Sequence, residues 1–115
     1  MSDIKIPAAA DILDLILDAV FVVDRHGRLV YASAGCFELL GYRPHELVGM
    51  YMVEMVHSDD RGRTLSAVWK IMAGDPSIRF ENRWKHKDGH DVPIQWSARW
   101  SEKHQVRVAV ARALA

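Results

Sequence analysis

The spacing of apolar residues switches along this chain between a helical and a two-residue period, and the switches mark its elements. From Ala8 to Asp18 the apolar residues cover a wide arc, while Asp11, Asp14 and Asp18 share one stripe at helical spacing. This predicts an amphipathic helix within an N-terminal cap over residues 1–18. The arc is wider than one contact needs, so Ile12, Leu15 and Ile16 are candidates for contact with a second copy of the chain. Packing of the whole helix on its own sheet is the alternative. Ala19 to Asp24 and Arg28 to Ala32 are β-rich runs about the turn Arg25-His26-Gly27, which predicts a hairpin.

Ser33 stands where a cap would open a short helix with Cys36, Leu39 and Leu40 on one face and Gly41 as its stop. Pro44 opens a helical turn that ends at Gly49. Ser58, Asp59 or Asp60 caps a longer helix, in which Leu65, Val68, Trp69 and Met72 recur at core spacing before Gly74. Two runs, Ile78 to Lys87 and Val92 to Trp100, flank the hairpin signal Asp88-Gly89, and a last strand runs from Val106 to Ala111. A hairpin at each end with helices collected between predicts the α+β class, an antiparallel sheet with its helices packed on one face. The core spans 19–112, and 113–115 begin a helix-friendly linker.

Alternation divides the sheet into a wet and a dry face. Ile78, Phe80 and Trp84 alternate with Arg79, Glu81, Arg83 and Lys85, and Ile94, Trp96, Ala98 and Trp100 alternate with Gln95, Ser97 and Arg99. Asn82 interrupts the dry set. A buried amide without partners costs about 1–3 kcal/mol, so the fold or a ligand must satisfy it.

Composition narrows the function. Of the 115 residues 50% are hydrophobic and 26% charged, which suits one folded domain. Lys plus Arg equal Asp plus Glu at 15 each, leaving no field to gather nucleic acid or an anionic membrane; the 6 histidines turn the balance positive only on acidification. The lone Cys36 and the lack of a secretory signal point to a reducing, cytoplasmic setting. The most apolar stretch, Ile12 to Val23, is broken by Asp14 and Asp18 and is too short to span a bilayer. His86 and His90 beside Asp88 and Asp91 straddle a tight turn, where they are expected to point apart and to hold no metal. Asp59-Asp60 fits capping, and no nucleophile, base and orienting group converge, so no catalytic residues are assigned.

Five motifs in order resemble the PAS/PAC sensory-box family. Ala19 to Tyr31 is similar to the opening hairpin of a PAS domain with its Asp-x-x-Gly turn. Phe37-Glu38-Leu39-Leu40-Gly41-Tyr42 resembles the family's helix and Gly-Tyr pair, and Pro44 to Gly49 its next helical turn. His57-Ser58-Asp59-Asp60-Arg61 is similar to the His-Pro-Asp-Asp start of the long helix, and Lys87-Asp88-Gly89 completes the series. The resemblance implies a PAS fold, a five-stranded antiparallel sheet cupping helices around a small cavity. It also implies a sensory and dimerisation module that regulates an attached effector, such as a histidine kinase or diguanylate cyclase, without catalysing a reaction.

Candidate cavity residues under this resemblance are Leu40, Tyr42, Met52, Met55, Val68, Met72, Phe80, Asn82, Trp84, Trp96 and Ala98. The ligand expected there is small and apolar. The photoreactive cysteine of the flavin branch would fall near Met52, and Cys36 lies several residues too early. The haem-ligating histidine would fall on the long helix, where this chain has Arg63-Thr64-Leu65. Haem and flavin are therefore disfavoured, and no covalently bound cofactor is expected. Two tryptophans leave little room in such a cavity, so association without a ligand, as a constitutive dimerisation scaffold, is the alternative. The family's terminal Asp-Ile-Thr is replaced by Ala111-Arg112-Ala113-Leu114-Ala115. The expected partners are a second copy and a C-terminal effector in a longer bacterial protein, with no nucleic acid or direct membrane contact.

Overall fold

Two hairpins from opposite ends of the chain are joined by its last strand into one antiparallel sheet in the computed structural model, which describes residues 4–75 and 79–114. The elements are α1 (Ala9–Asp14), β1 (Ala19–Asp24), β2 (Leu29–Ala32), α2 (Gly35–Leu40), α3 (Pro44–Leu47) and α4 (Met52–Met55). After a 3₁₀ turn (Ser58–Asp60) come α5 (Arg61–Met72), β3 (Arg79–Lys85), β4 (Asp91–Ser101) and β5 (Val106–Ala113). The strand order is β2-β1-β5-β4-β3, antiparallel throughout. The expected third strand is described from Arg79, and Ile78 lies outside the described residues. Among the described residues no helix is long and apolar enough to cross a membrane.

The register explains how large rings fit on the inner face. Phe21 pairs with Ala109, and Trp96 pairs with Ala111, so each large side chain stands beside a small one. Phe21, Trp84 and Trp96 then form a cluster with ring centroids 5.1–5.7 Å apart and tilted planes. Ile94, Leu29, Leu40, Leu47 and Val56 close the core around it.

Asn82 is satisfied by the fold. Trp96 Nε1 donates to its Oδ1 at 2.7 Å, and its Nδ2 donates to Thr64 Oγ1 at 3.1 Å. The Thr64 hydroxyl in turn donates to the Asp60 carbonyl at 2.7 Å. The Asp60 carboxylate is buried and accepts three bonds from Arg83, from the backbone N–H at 2.9 Å, Nε at 3.0 Å and Nη2 at 2.8 Å. The chain of bonds runs from sheet to helix and back to the sheet.

This polar chain turns α5 away from the face that its apolar spacing predicts. Thr64, Ala67 and Ile71 are buried, whereas Leu65 and Trp69 face outward at 44% and 71% exposure. An inward Thr64 is what Asn82 requires, and Leu65 beside it is carried to the surface.

Three further expectations are corrected. Ser33 does not cap α2 with its side chain; its Oγ accepts from Val20 N–H at 2.8 Å, and Asp14 Oδ1 receives the Ala34 N–H at 2.9 Å instead. The last strand continues to Ala113, and Leu114 N–H donates to Pro93 O at 3.0 Å, so residues assigned to a linker extend the sheet. The N-terminal helix stops at Asp14 and buries none of its residues. Its acidic stripe, not its apolar arc, meets the domain: Asp14 also accepts from Tyr31 OH at 3.3 Å, and Asp18 pairs with Arg112 at 3.0 Å. Gly35 allows this approach, because a Cβ there would lie 2.9 Å from the Asp18 carbonyl oxygen. Packing of the whole helix on its own sheet is therefore not what forms.

Two predictions follow from the polar chain. Thr64→Val keeps the shape of the side chain but strands the Asn82 amide, and it should lower stability in urea unfolding by about 1–3 kcal/mol, while Thr64→Ser should lower it less. Arg83 holds the Asp60 carboxyl well below the usual carboxylate range against the opposing effect of burial. A folded pKa below the unfolded one gives stability that is complete above about pH 4 and is lost as pH falls below it. The stability gap between wild type and Asp60→Asn should thus be widest near neutrality and narrow as the pH drops below about 4.

Candidate functional site

Between the inner face of the sheet and α5 lies a cavity of about 40 Å³. Of the residues expected there, Met52, Val68, Phe80, Asn82, Trp84, Trp96 and Ala98 line it. Leu40 and Met55 instead fill the core, and Tyr42 packs against that core from outside. Met72 lines a separate groove. Pattern reasoning missed Phe21, Thr64, Ile71, Arg107 and Ala109 in the wall. The cavity has room for a few atoms, whereas pockets for drug-sized ligands are about 300–1,000 Å³. The tilted rings of Phe21, Trp84 and Trp96 occupy the space that a flavin or haem ring system would need, and α5 offers no histidine to iron. These residues do not fit either group.

Arg107 is the exceptional member of the wall. It sits on the inner face of β5 between Val23 of β1 and Trp100 of β4, with 4% of its surface exposed. Its side chain has no hydrogen bond or ion pair among the described residues, and burial alone brings its pKa down to about 10. It therefore stays charged at neutral pH. Among the described residues Trp84 Nε1 is a fully buried side-chain donor without a partner. The signal for Arg107 lay in β5 itself, where Arg107, Ala109 and Ala111 alternate with Val106, Val108 and Val110. The valines of that strand are bulkier than its alanines, so alternation by itself does not mark the face that carries Arg107 as the inner one.

Arg107, Met52 and Val68 also line a groove of about 200 Å³ on the outside of the domain. The groove runs between the β1–β2 turn, with Arg25, His26 and Gly27, and the outward face of α5, with Leu65, Trp69 and Met72. No described carboxylate lines it.

The remaining candidates lie at the second hairpin turn and in the core. His86 and His90 do not point apart; their rings stack with centroids 4.5 Å apart, and Asp88 Oδ1 lies against both Nδ1 atoms. Asp88 also receives the His90 N–H at 3.0 Å, and His86 Nδ1 receives the Asp88 N–H at 3.1 Å, so the hairpin turn itself engages these groups. Gly41 lies under His86 with φ +77°, where a Cβ would come within 2.5 Å of the imidazole. Cys36 is fully buried, its thiol donates to Tyr42 O at 3.4 Å, and burial pushes its pKa up to about 11, which leaves it an unreactive core group.

Known proteins share this architecture. A domain of a sensory box sensor histidine kinase/response regulator from Geobacter sulfurreducens superposes with a TM-score of 0.78 at 19% identity, covering 91% of this chain and 90% of that one. The PAS domain of a protein from Colwellia psychrerythraea gives a TM-score of 0.76 at 26% identity, covering 91% and 92%. The White collar 2 protein of Neurospora crassa is 26% identical over 81 residues, which are 70% of this chain and 15% of that protein's length. The family model described as the PAS fold matches residues 29–111, from β2 through β5. That match takes in the polar chain, most of the cavity wall and most of the sheet, and it places this chain in the PAS family.

Proposed function

We propose that this domain is the sensory module of a longer cytoplasmic, bacterial signalling protein, and that it works as a homodimer held by its N-terminal segment. The observation that carries the reading is the inverted docking of that segment. Asp14 and Asp18 tie it to the domain, while Leu15 and Leu17 stand 79% and 91% exposed and Ile12 and Ile16 each 40%. An anchored segment with its apolar side turned to water suits a second copy of the same segment. The net charge of zero places no long-range repulsion between two copies.

In this reading an effector follows β5, and one structural relative is itself a domain of a sensor histidine kinase/response regulator. A histidine kinase or a diguanylate cyclase suits this arrangement, because a dimeric sensor sets the spacing of two effector chains. The sensory part acts by differential affinity for two arrangements of the domain, and no turnover belongs to it. The packed ring cluster favours a second reading, a constitutive dimerisation scaffold that needs no ligand.

Sedimentation of Leu15→Asp/Ile16→Asp beside the wild type tests the association. Both positions are exposed, so the fold should survive, and the dimer should weaken at least tenfold. A wild-type monomer, or a variant as dimeric as wild type, would contradict the proposal.

A further inference from the structure

We propose that the groove between the β1–β2 turn and α5 binds a small carboxylate with an apolar body, seating the carboxylate on Arg107. The inference rests on the sensory reading above and names the class of ligand sensed. Arg107 stands in the wall shared by the groove and the inner cavity, 96% withdrawn from solvent by its 4% exposure and without an acceptor among the described residues. A buried cation without a partner is costly, and a planar guanidinium matches a carboxylate through two parallel N–H bonds. The fold supplies partners to the other charged group of its interior, Asp60, so the isolation of Arg107 marks a place for an incoming anion.

The rest of the groove sets the body of that anion. Leu65 and Trp69 present apolar surface at its edge, and the flexible Met72 lies beside them. Arg25 adds a second cation at the opposite edge. An inorganic anion would leave Leu65 and Trp69 in water, and a neutral hydrocarbon would leave Arg107 unpaired. At about 200 Å³ the space is below the usual range for drug-sized ligands, which sets the scale near benzoate, phenylacetate or a medium-chain fatty acid. Such a ligand would bear on α5 and β5 together, since the groove joins the outer face of the helix to Arg107 on the strand.

The test is thermal unfolding of the full chain titrated with benzoate, phenylacetate and octanoate against benzamide, phenylacetamide and octanamide, at ionic strength fixed with sodium chloride. At least one carboxylate should raise the melting temperature saturably, with its amide at least tenfold weaker. Arg107→Met should remove that preference, and Trp69→Ala, at an exposed position, should weaken carboxylate binding at least tenfold. No saturable shift from any carboxylate, an amide as effective as its acid, or undiminished binding by Trp69→Ala would overturn the proposal. If Arg107→Met does not fold, the acid–amide comparison and Trp69→Ala decide the matter. Sedimentation of the ligand-free protein separates this failure from a failure of the sensory dimer, because neither readout depends on the other.

Discussion

One amide side chain governs how the helical layer sits on this sheet. Asn82 occupies a position on the inner face where its neighbours Phe80 and Trp84 are aromatic, and an amide there must be bonded on both of its ends. Trp96 supplies the donor from the next strand, and Thr64 supplies the acceptor from α5. The Thr64 hydroxyl passes the chain to the Asp60 carbonyl, and the Asp60 carboxylate returns it to Arg83, the residue after Asn82 on β3. These bonds determine which face of α5 is inward, and through it the size of the cavity and the apolar rim of the groove.

The contrast between Asp60 and Arg107 separates structure from function in this interior. Both are charged and almost wholly buried. Asp60 is clasped by Arg83 and approached by Arg63 at 3.4 Å, an arrangement that serves the fold. Arg107 stands between Val23 and Trp100 in the sheet and lines the groove with Met52 and Val68, and among the described residues no group neutralises it. Buried charges without partners are rare because they destabilise the state that holds them, and a site that keeps one gains the means to recognise an opposite charge. A signal received there lies on β5, the strand that joins the two hairpins and leads to the C-terminal end of the domain.

The strands were legible because a period of two is difficult to mistake and the Gly-bearing turns delimit it. The need of Asn82 for partners was equally legible, but the identity of the partner was not, since Thr64 is 18 residues away and local spacing carries no distance between them. On α5 the same helical period fits two faces about one residue apart, and pairing with a polar residue on the sheet chose between them. The N-terminal segment shows the same limit. Its acidic stripe and apolar arc were both visible, yet which one met the domain depended on the Ala34 N–H, Tyr31 and Arg112. Arg107 escaped notice because valine outweighs alanine in an apolar pattern, while the register gave the inner face of β5 to the small residues.

The central claim is that the polar chain through Asn82 clamps α5 to the sheet in the native state. Hydrogen exchange at the Trp96 indole N–H, followed by nuclear magnetic resonance, tests it most directly, because that proton forms the first link of the chain at 2.7 Å. The account predicts that it exchanges as slowly as the most protected backbone amides of β4, by global unfolding alone. Exchange as fast as that of the exposed Trp69 indole would contradict it.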